Sequence, residues 1–236
     1  EQFEVNNFLS IKTPFISGIN LTITNLSLYS IFTFLIILLI HYLGNNDTRL
    51  IPSRWSIALE SLFATLNSMV REQIGLYKEI FFPFIYSLFI FILVANLIGT
   101  VPYSFTINTS IVVTIGLSFT ILIGVTIMAV SLHKLNFFSL FVPNGTPLVL
   151  VPLLVLIEMV SYLARAFSLG IRLFANMCAG HTLLKILSTF LYKMFSHSLL
   201  IFIVTLIPFA IFLAIWGLEL AVAVIQAYVF VVLTCS

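Results

Sequence analysis

The sequence predicts an all-α integral membrane protein. Its expected parts are upright transmembrane helices, one amphipathic interfacial helix, and a C-terminal hairpin of two long, steeply tilted membrane helices. Three observations carry this expectation. Of 236 residues, 61% are hydrophobic and 8% charged, with a mean hydropathy of +1.20. A soluble domain carries about a quarter charged residues. Three runs of roughly twenty residues hold no Asp, Glu, Lys or Arg, which is long enough to cross a hydrocarbon core of about 30 Å. The last third holds two apolar runs much longer than that, studded with isolated polar residues.

The elements follow in order within a single membrane domain, 1–236. Residues 1–24, with Asn6, Asn7, Lys12 and Pro14, read as an N-terminal surface arm. Residues 25–43 form the first span, ended by Asn45-Asn46-Asp47. In 53–73, Trp55, Leu59, Leu62, Phe63, Leu66 and Val70 recur at helical spacing, with Arg54, Glu60, Asn67 and Arg71 between them. That pattern is an amphipathic helix on the interface or against other helices. Residues 80–99 are a second span with Pro83 in its first turn. Gly99-Thr100-Val101-Pro102 is a turn, and 107–132 a third span. His133, Lys134 and Pro143-Asn144-Gly145-Thr146-Pro147 form the next loop.

Residues 148–190 and 198–234 make the hairpin. Unbroken, these helices measure roughly 65 and 55 Å, about twice the membrane core. They must break or tilt, with Pro208 a candidate kink. The polar residues favour tilting, because a tilted pair can line a shared wet seam.

Arg172 is the most informative residue of that seam. A guanidinium stays charged in a protein. At membrane depth it must face protein or water, and it reads as functional by default. It cannot release a proton, so its job is electrostatic. Glu158, Arg165 and Arg172 stand seven apart, drifting only about 20° per step, and share a stripe. Asn176 lies one turn beyond Arg172. Glu219 and Gln226 repeat the heptad step on the second helix. The bland alternative is that these groups glue two membrane helices together by hydrogen bonds. Arg165, in particular, can simply pair with Glu158, and His181 alone reads as an interfacial histidine.

Ser168-Leu-Gly-Ile-Arg-Leu-Phe-Ala-Asn-Met-Cys-Ala-Gly-His181, then Gly217-Leu-Glu-Leu-Ala-Val-Ala-Val-Ile-Gln-Ala-Tyr-Val-Phe-Val-Val-Leu-Thr234, with Asn96-Leu-Ile-Gly-Thr-Val-Pro102, resembles the membrane subunit a of F-type ATP synthases. The resemblance covers most of the chain. The short N-terminal arm and the His and Glu choices resemble its mitochondrial, fungal branch, and the Ile- and Phe-rich composition suits an AT-rich organellar genome.

The resemblance implies a stator in the mitochondrial inner membrane, multi-pass, packed against a ring of small rotor subunits that each carry a membrane carboxylate. Peripheral-stalk and other membrane-sector subunits are the further partners. Two aqueous half-channels reach the ring from opposite sides. Arg172 matches the family's essential arginine; His181 and Glu219 match its inlet half-channel, and Glu158 its outlet. Asn176 and Gln226 match polar positions along the path. Protons, rather than sodium ions, are the cargo that the mitochondrial branch implies. Family members commonly run slightly further, so part of the outlet is expected to lie beyond Ser236 or on another subunit.

The order along the helix agrees. Glu158 lies 14 residues before Arg172 and His181 nine after it. Glu158 and His181 exchange protons; Arg172 does not. A ring carboxylate beside Arg172 favours its ionised form, and one facing lipid its neutral form. The fixed charge then blocks a short circuit between half-channels. Orientation follows from Arg49, Arg54, Arg71 and Lys78, which put the loop between the first two spans in the matrix, with Lys134. The Lys185–His197 turn then falls on the outer side, a mild exception.

Other classes fit less well. A secondary transporter needs a substrate site in one chain and a broken-helix pair near the midplane. A haem subunit needs facing axial ligands, and His41, His133, His181 and His197 offer no convincing pair. A purely structural subunit has no need of Arg172. The GxxxxGK[ST] phosphate loop does not occur, so nucleotide chemistry belongs to other subunits. The +2 formal charge gives no case for nucleic acid. Cys178 and Cys235 make neither a disulfide framework nor a metal cluster. No metal or cofactor is expected. No signal-peptide pattern precedes the first span, and the opening Glu1 is compatible with N-terminal trimming.

Overall fold

The computed structural model describes residues 4–12, 20–45, 51–75, 80–101, 104–134, 150–195 and 205–235. The expected Pro143–Pro147 turn, the basic positions Arg49 and Lys78, and 196–204 lie outside these residues; Lys185–Phe195, expected to open the turn of the hairpin, is helical, so the first hairpin helix runs past its expected end at 190. Among the described residues, six α-helices follow a short β-hairpin: α1 Asn25–Gly44, α2 Arg54–Ile74, α3 Phe82–Gly99, α4 Ile111–His133, α5 Val151–Phe195 and α6 Leu206–Cys235. Among the described residues, five of them are long and apolar enough to cross a membrane; α2 is the exception. The molecule is an all-α multi-pass membrane protein.

The N-terminal arm contains the hairpin, β1 Asn7–Lys12 paired antiparallel with β2 Asn20–Thr24, with a register irregularity between Asn7 and Leu9. Thr24 then caps α1 through a reciprocal exchange with Ser27, which satisfies backbone donors that a helix start leaves open. Ser53 caps α2 by accepting from Ser56 N–H. Prolines sit where they do no harm. Pro83 and Pro152 occupy the first turns of α3 and α5, and Pro208 is the third residue of α6. First-turn N–H groups have no intrahelical partner, so none of these prolines breaks a bond. Pro208 thus lies in the first turn of α6.

The chain forms two compact units. The first comprises Glu1–Thr109 with Asn176–Ser236, the second Ser110–Ala175. The core of the first is α3, which is far more buried than the other candidate spans among the described residues. A helix apolar on every side belongs inside. α1 and α6 pack on α3, and α2 touches all three. Phe63 meets Phe82 edge to face at 4.6 Å, tying α2 to α3. His41 ties α1 to α3: its Nδ1–H donates to the Ile37 carbonyl at 2.8 Å, which leaves Nε2 to accept from the Tyr86 hydroxyl at 3.2 Å.

The third span begins later than its sequence suggested. Residues Ile107–Thr109 form a single 3-10 turn, and α4 starts at Ile111. Phe105 through Thr109 are buried. Ser104 anchors this segment by donating to the carbonyl of Ile98 at 2.7 Å.

In the second unit, α4 presents Thr114, Ser118 and Ile121 at helical spacing, and the opening half of α5 presents Ala166, Leu169, Gly170 and Leu173; all are buried. A Cβ at Gly170 would stand 3.0 Å from the Thr114 carbonyl and 3.1 Å from the Ile115 Cα. The two backbones approach closely because glycine is there, as small residues allow in membrane helix pairs. Phe119 and Phe167 close the contact edge to face at 4.8 Å.

Candidate functional site

α6 builds one wall of a polar cluster in the first unit. Its buried residues are Glu219, Ala223, Gln226, Ala227, Phe230 and Val231. Steps of three and four place them on a single face. That face carries two alanines, so the helix comes close to α3. At this contact the Asn96 carboxamide donates to the Ala223 carbonyl at 3.1 Å, and its own oxygen accepts from the Asn108 carboxamide. Both asparagines are fully buried. A chain of donors thus runs from the 104–109 segment through α3 to α6.

His181 and Glu219 meet beside this chain. His181 Nδ1 lies 3.7 Å from Glu219 Oε1, and both residues are buried. On the other side of the ring, Nε2 shares a 2.9 Å hydrogen bond with the Thr106 hydroxyl. Neither carboxyl oxygen of Glu219 has a hydrogen-bond partner among the described residues. Burying such a group is costly, so stability alone gives no reason to keep it. The space it occupies is made by Gly180, where a Cβ would stand 2.8 Å from Oε1. Five residues before His181, Asn176 donates from its amide to Gln226 Oε1 at 3.1 Å.

The sequence-derived candidates therefore divide. Glu219 with His181, and Asn176 with Gln226, are brought together. Arg172, Arg165 and Glu158 belong to the second unit, and all three side chains are exposed. No ion pair joins Arg165 to Glu158 among the described residues. On α5, Arg172 points about a third of a turn away from the Ala166–Gly170 face that packs on α4.

Sequence reasoning missed Thr106 and Asn108, and gave Asn96 no role. Asn96 carried a signal: it is the one carboxamide in an apolar helix of eighteen residues, and such a group needs a buried partner. Thr106 carried none, since it lies in the short polar stretch before the expected 107–132 span, and Asn108 stood at the very start of that span, where a polar residue is ordinary.

With this geometry in hand, comparison with known proteins gives a consistent result. Residues 27–236 match the family model described as ATP synthase A chain. A protein named ATP synthase subunit a from Mycosarcoma maydis is 61% identical over 236 residues, covering all of this chain and 93% of the relative. Its namesake from Emericella nidulans is 51% identical, covering 100% and 92%. One from Chondrus crispus is 46% identical, again covering 100% and 92%. Matched along nearly its whole length, the chain belongs to the ATP synthase A chain family.

Proposed function

We propose that this chain is the proton-conducting stator subunit in the membrane sector of a rotary ATP synthase, in the mitochondrial inner membrane. His181 and Glu219, with Asn176 and Gln226, line the inlet half-channel; Glu158 lines the outlet. Arg172 stands between them as the fixed charge that keeps protons from crossing without turning the ring. Its partners are the ring subunits, each with a membrane carboxylate, and the peripheral stalk and other membrane-sector subunits. Nucleotide chemistry lies on other chains.

The observation that carries this reading is the buried carboxyl of Glu219 against the imidazole of His181, 3.7 Å apart inside an apolar bundle. Two groups able to exchange protons are held together in a buried place. The unbroken 45-residue α5 supports the second part. At about 67 Å it is far longer than the membrane core, so it must lie steeply tilted. A tilted helix with Glu158, Arg165 and Arg172 exposed along it suits a surface that a curved ring sweeps past.

Membranes carrying Arg172→Ala test the gate. After normal assembly is verified, ATP-driven proton pumping is expected to be lost, while passive proton leak through the membrane sector stays or rises. Coupled pumping at the wild-type level would sink the charge-gate reading.

A further inference from the structure

We propose that Thr106 is a positioning residue for His181: its hydroxyl holds Nε2 and so keeps Nδ1 turned toward Glu219. This rests on the reading of His181 and Glu219 as the inlet of the proton path. No proton passes through Thr106; it fixes the orientation of the ring that does the exchange.

The chemistry requires a hydroxyl at this place. An imidazole in proton exchange presents Nε2 as an acceptor in one state and as a donor in another. A hydroxyl can donate or accept by rotating its hydrogen, so Thr106 satisfies Nε2 in both states without the ring turning. A methyl group in its place satisfies neither. The 2.9 Å separation is that of a made hydrogen bond.

Thr106 is itself held from several sides. Its carbonyl accepts from the Thr109 hydroxyl at 2.6 Å. Ser104, two residues before, is tied to the end of α3. Asn108, two residues after, is tied through Asn96 to the Ala223 carbonyl of α6, the helix that carries Glu219. Gly99 leaves room for the threonine, since a Cβ there would run into the Thr106 methyl. The segment that bears the hydroxyl and the helix that bears the carboxyl are thus fixed to one another. Preorganisation of this kind is what a supporting group contributes to a proton-transfer pair.

Among the described residues, the titratable group facing His181 is Glu219 of α6. α3 and the 104–109 segment bring carboxamides and hydroxyls, which do not titrate. On its own helix, Lys185 one turn later is exposed.

The test uses the assembled complex in sealed membrane vesicles under an imposed proton gradient. ATP synthesis is followed as the pH on the inlet side is varied, for wild type, Thr106→Val, Thr106→Ser and Glu219→Gln. Thr106→Val is expected to slow synthesis roughly ten-fold, the order expected when a buried nitrogen loses its partner, and to displace the inlet-side pH profile. Thr106→Ser should restore both. A wild-type rate and profile in Thr106→Val overturns the inference. So does a slower rate with an unmoved profile that serine fails to rescue, which marks a packing role. If valine prevents assembly, Thr106→Ala against Thr106→Ser decides by the same criteria. Normal synthesis in Glu219→Gln would instead remove the underlying inlet reading, whatever Thr106 does.

Discussion

α5 and α6 both carry polar side chains in apolar helices, and they treat them oppositely. α6 buries Glu219 and Gln226 on the face that also carries Ala223. α5 exposes Glu158, Arg165, Arg172 and Lys185, buries His181, and ties Asn176 back to Gln226. A buried polar group must find its partners within the chain. An exposed one in a membrane helix must find them outside it, in water, headgroups or another subunit. The contrast separates polar groups held inside the first unit from charged groups left exposed.

The sharpest way to break the comparison is a pair of substitutions. Glu219→Gln removes the exchangeable carboxyl inside the cluster and is expected to lower proton-driven ATP synthesis by at least about a hundred-fold. Arg172→Ala removes an exposed side chain and should leave the thermal stability of the assembled complex within about 0.5 kcal/mol of wild type, although coupling is lost. A large stability loss for Arg172→Ala, read from the melting of the purified complex, would mean that the guanidinium is structural after all.

A smaller effect sharpens the picture on the α6 side. Asn96→Leu leaves the buried Asn108 carboxamide without its acceptor, which costs about 1–3 kcal/mol. Lower yield and earlier melting of the complex should report it. A variant as stable as wild type would show that the chain of amides does not fix α6.

The smallest effect belongs to Asn176→Leu. Its single interhelical hydrogen bond to Gln226 is half-exposed, and such bonds in membrane helices average about 0.6 kcal/mol. Melting should move little. A loss as large as that of Asn96→Leu would erase the distinction between the two helices.

Much of this was legible in the sequence, for definable reasons. Apolar run length marks membrane helices, because the bilayer sets that length. Arg172, Glu158 and Glu219 stood out because charge in such a run is costly. Helical periodicity, however, relates residues on one helix only. It put Glu219 seven residues from Gln226, but it could not put Glu219 beside His181, which lies on another helix. Nor could it bury Phe105–Thr109, since a short polar stretch takes its place from the helices around it. The 107–132 span failed at its start for the same reason: Ile107–Thr109 is held by the cluster, and α4 begins only at Ile111.

The bond from Asn96 to the Ala223 carbonyl has a mechanical consequence. Apolar side chains on α3 and α6 resist both separation and sliding through interlocking ridges and grooves, but none of them is aimed at one partner atom. A carboxamide aimed at one particular carbonyl is different. A slip of one residue, about 1.5 Å, would take the amide out of line with that oxygen while Asn108 still holds it from behind. Asn96 therefore works as a detent, and any drag exerted along α6 by a moving neighbour is passed into α3 rather than released as creep.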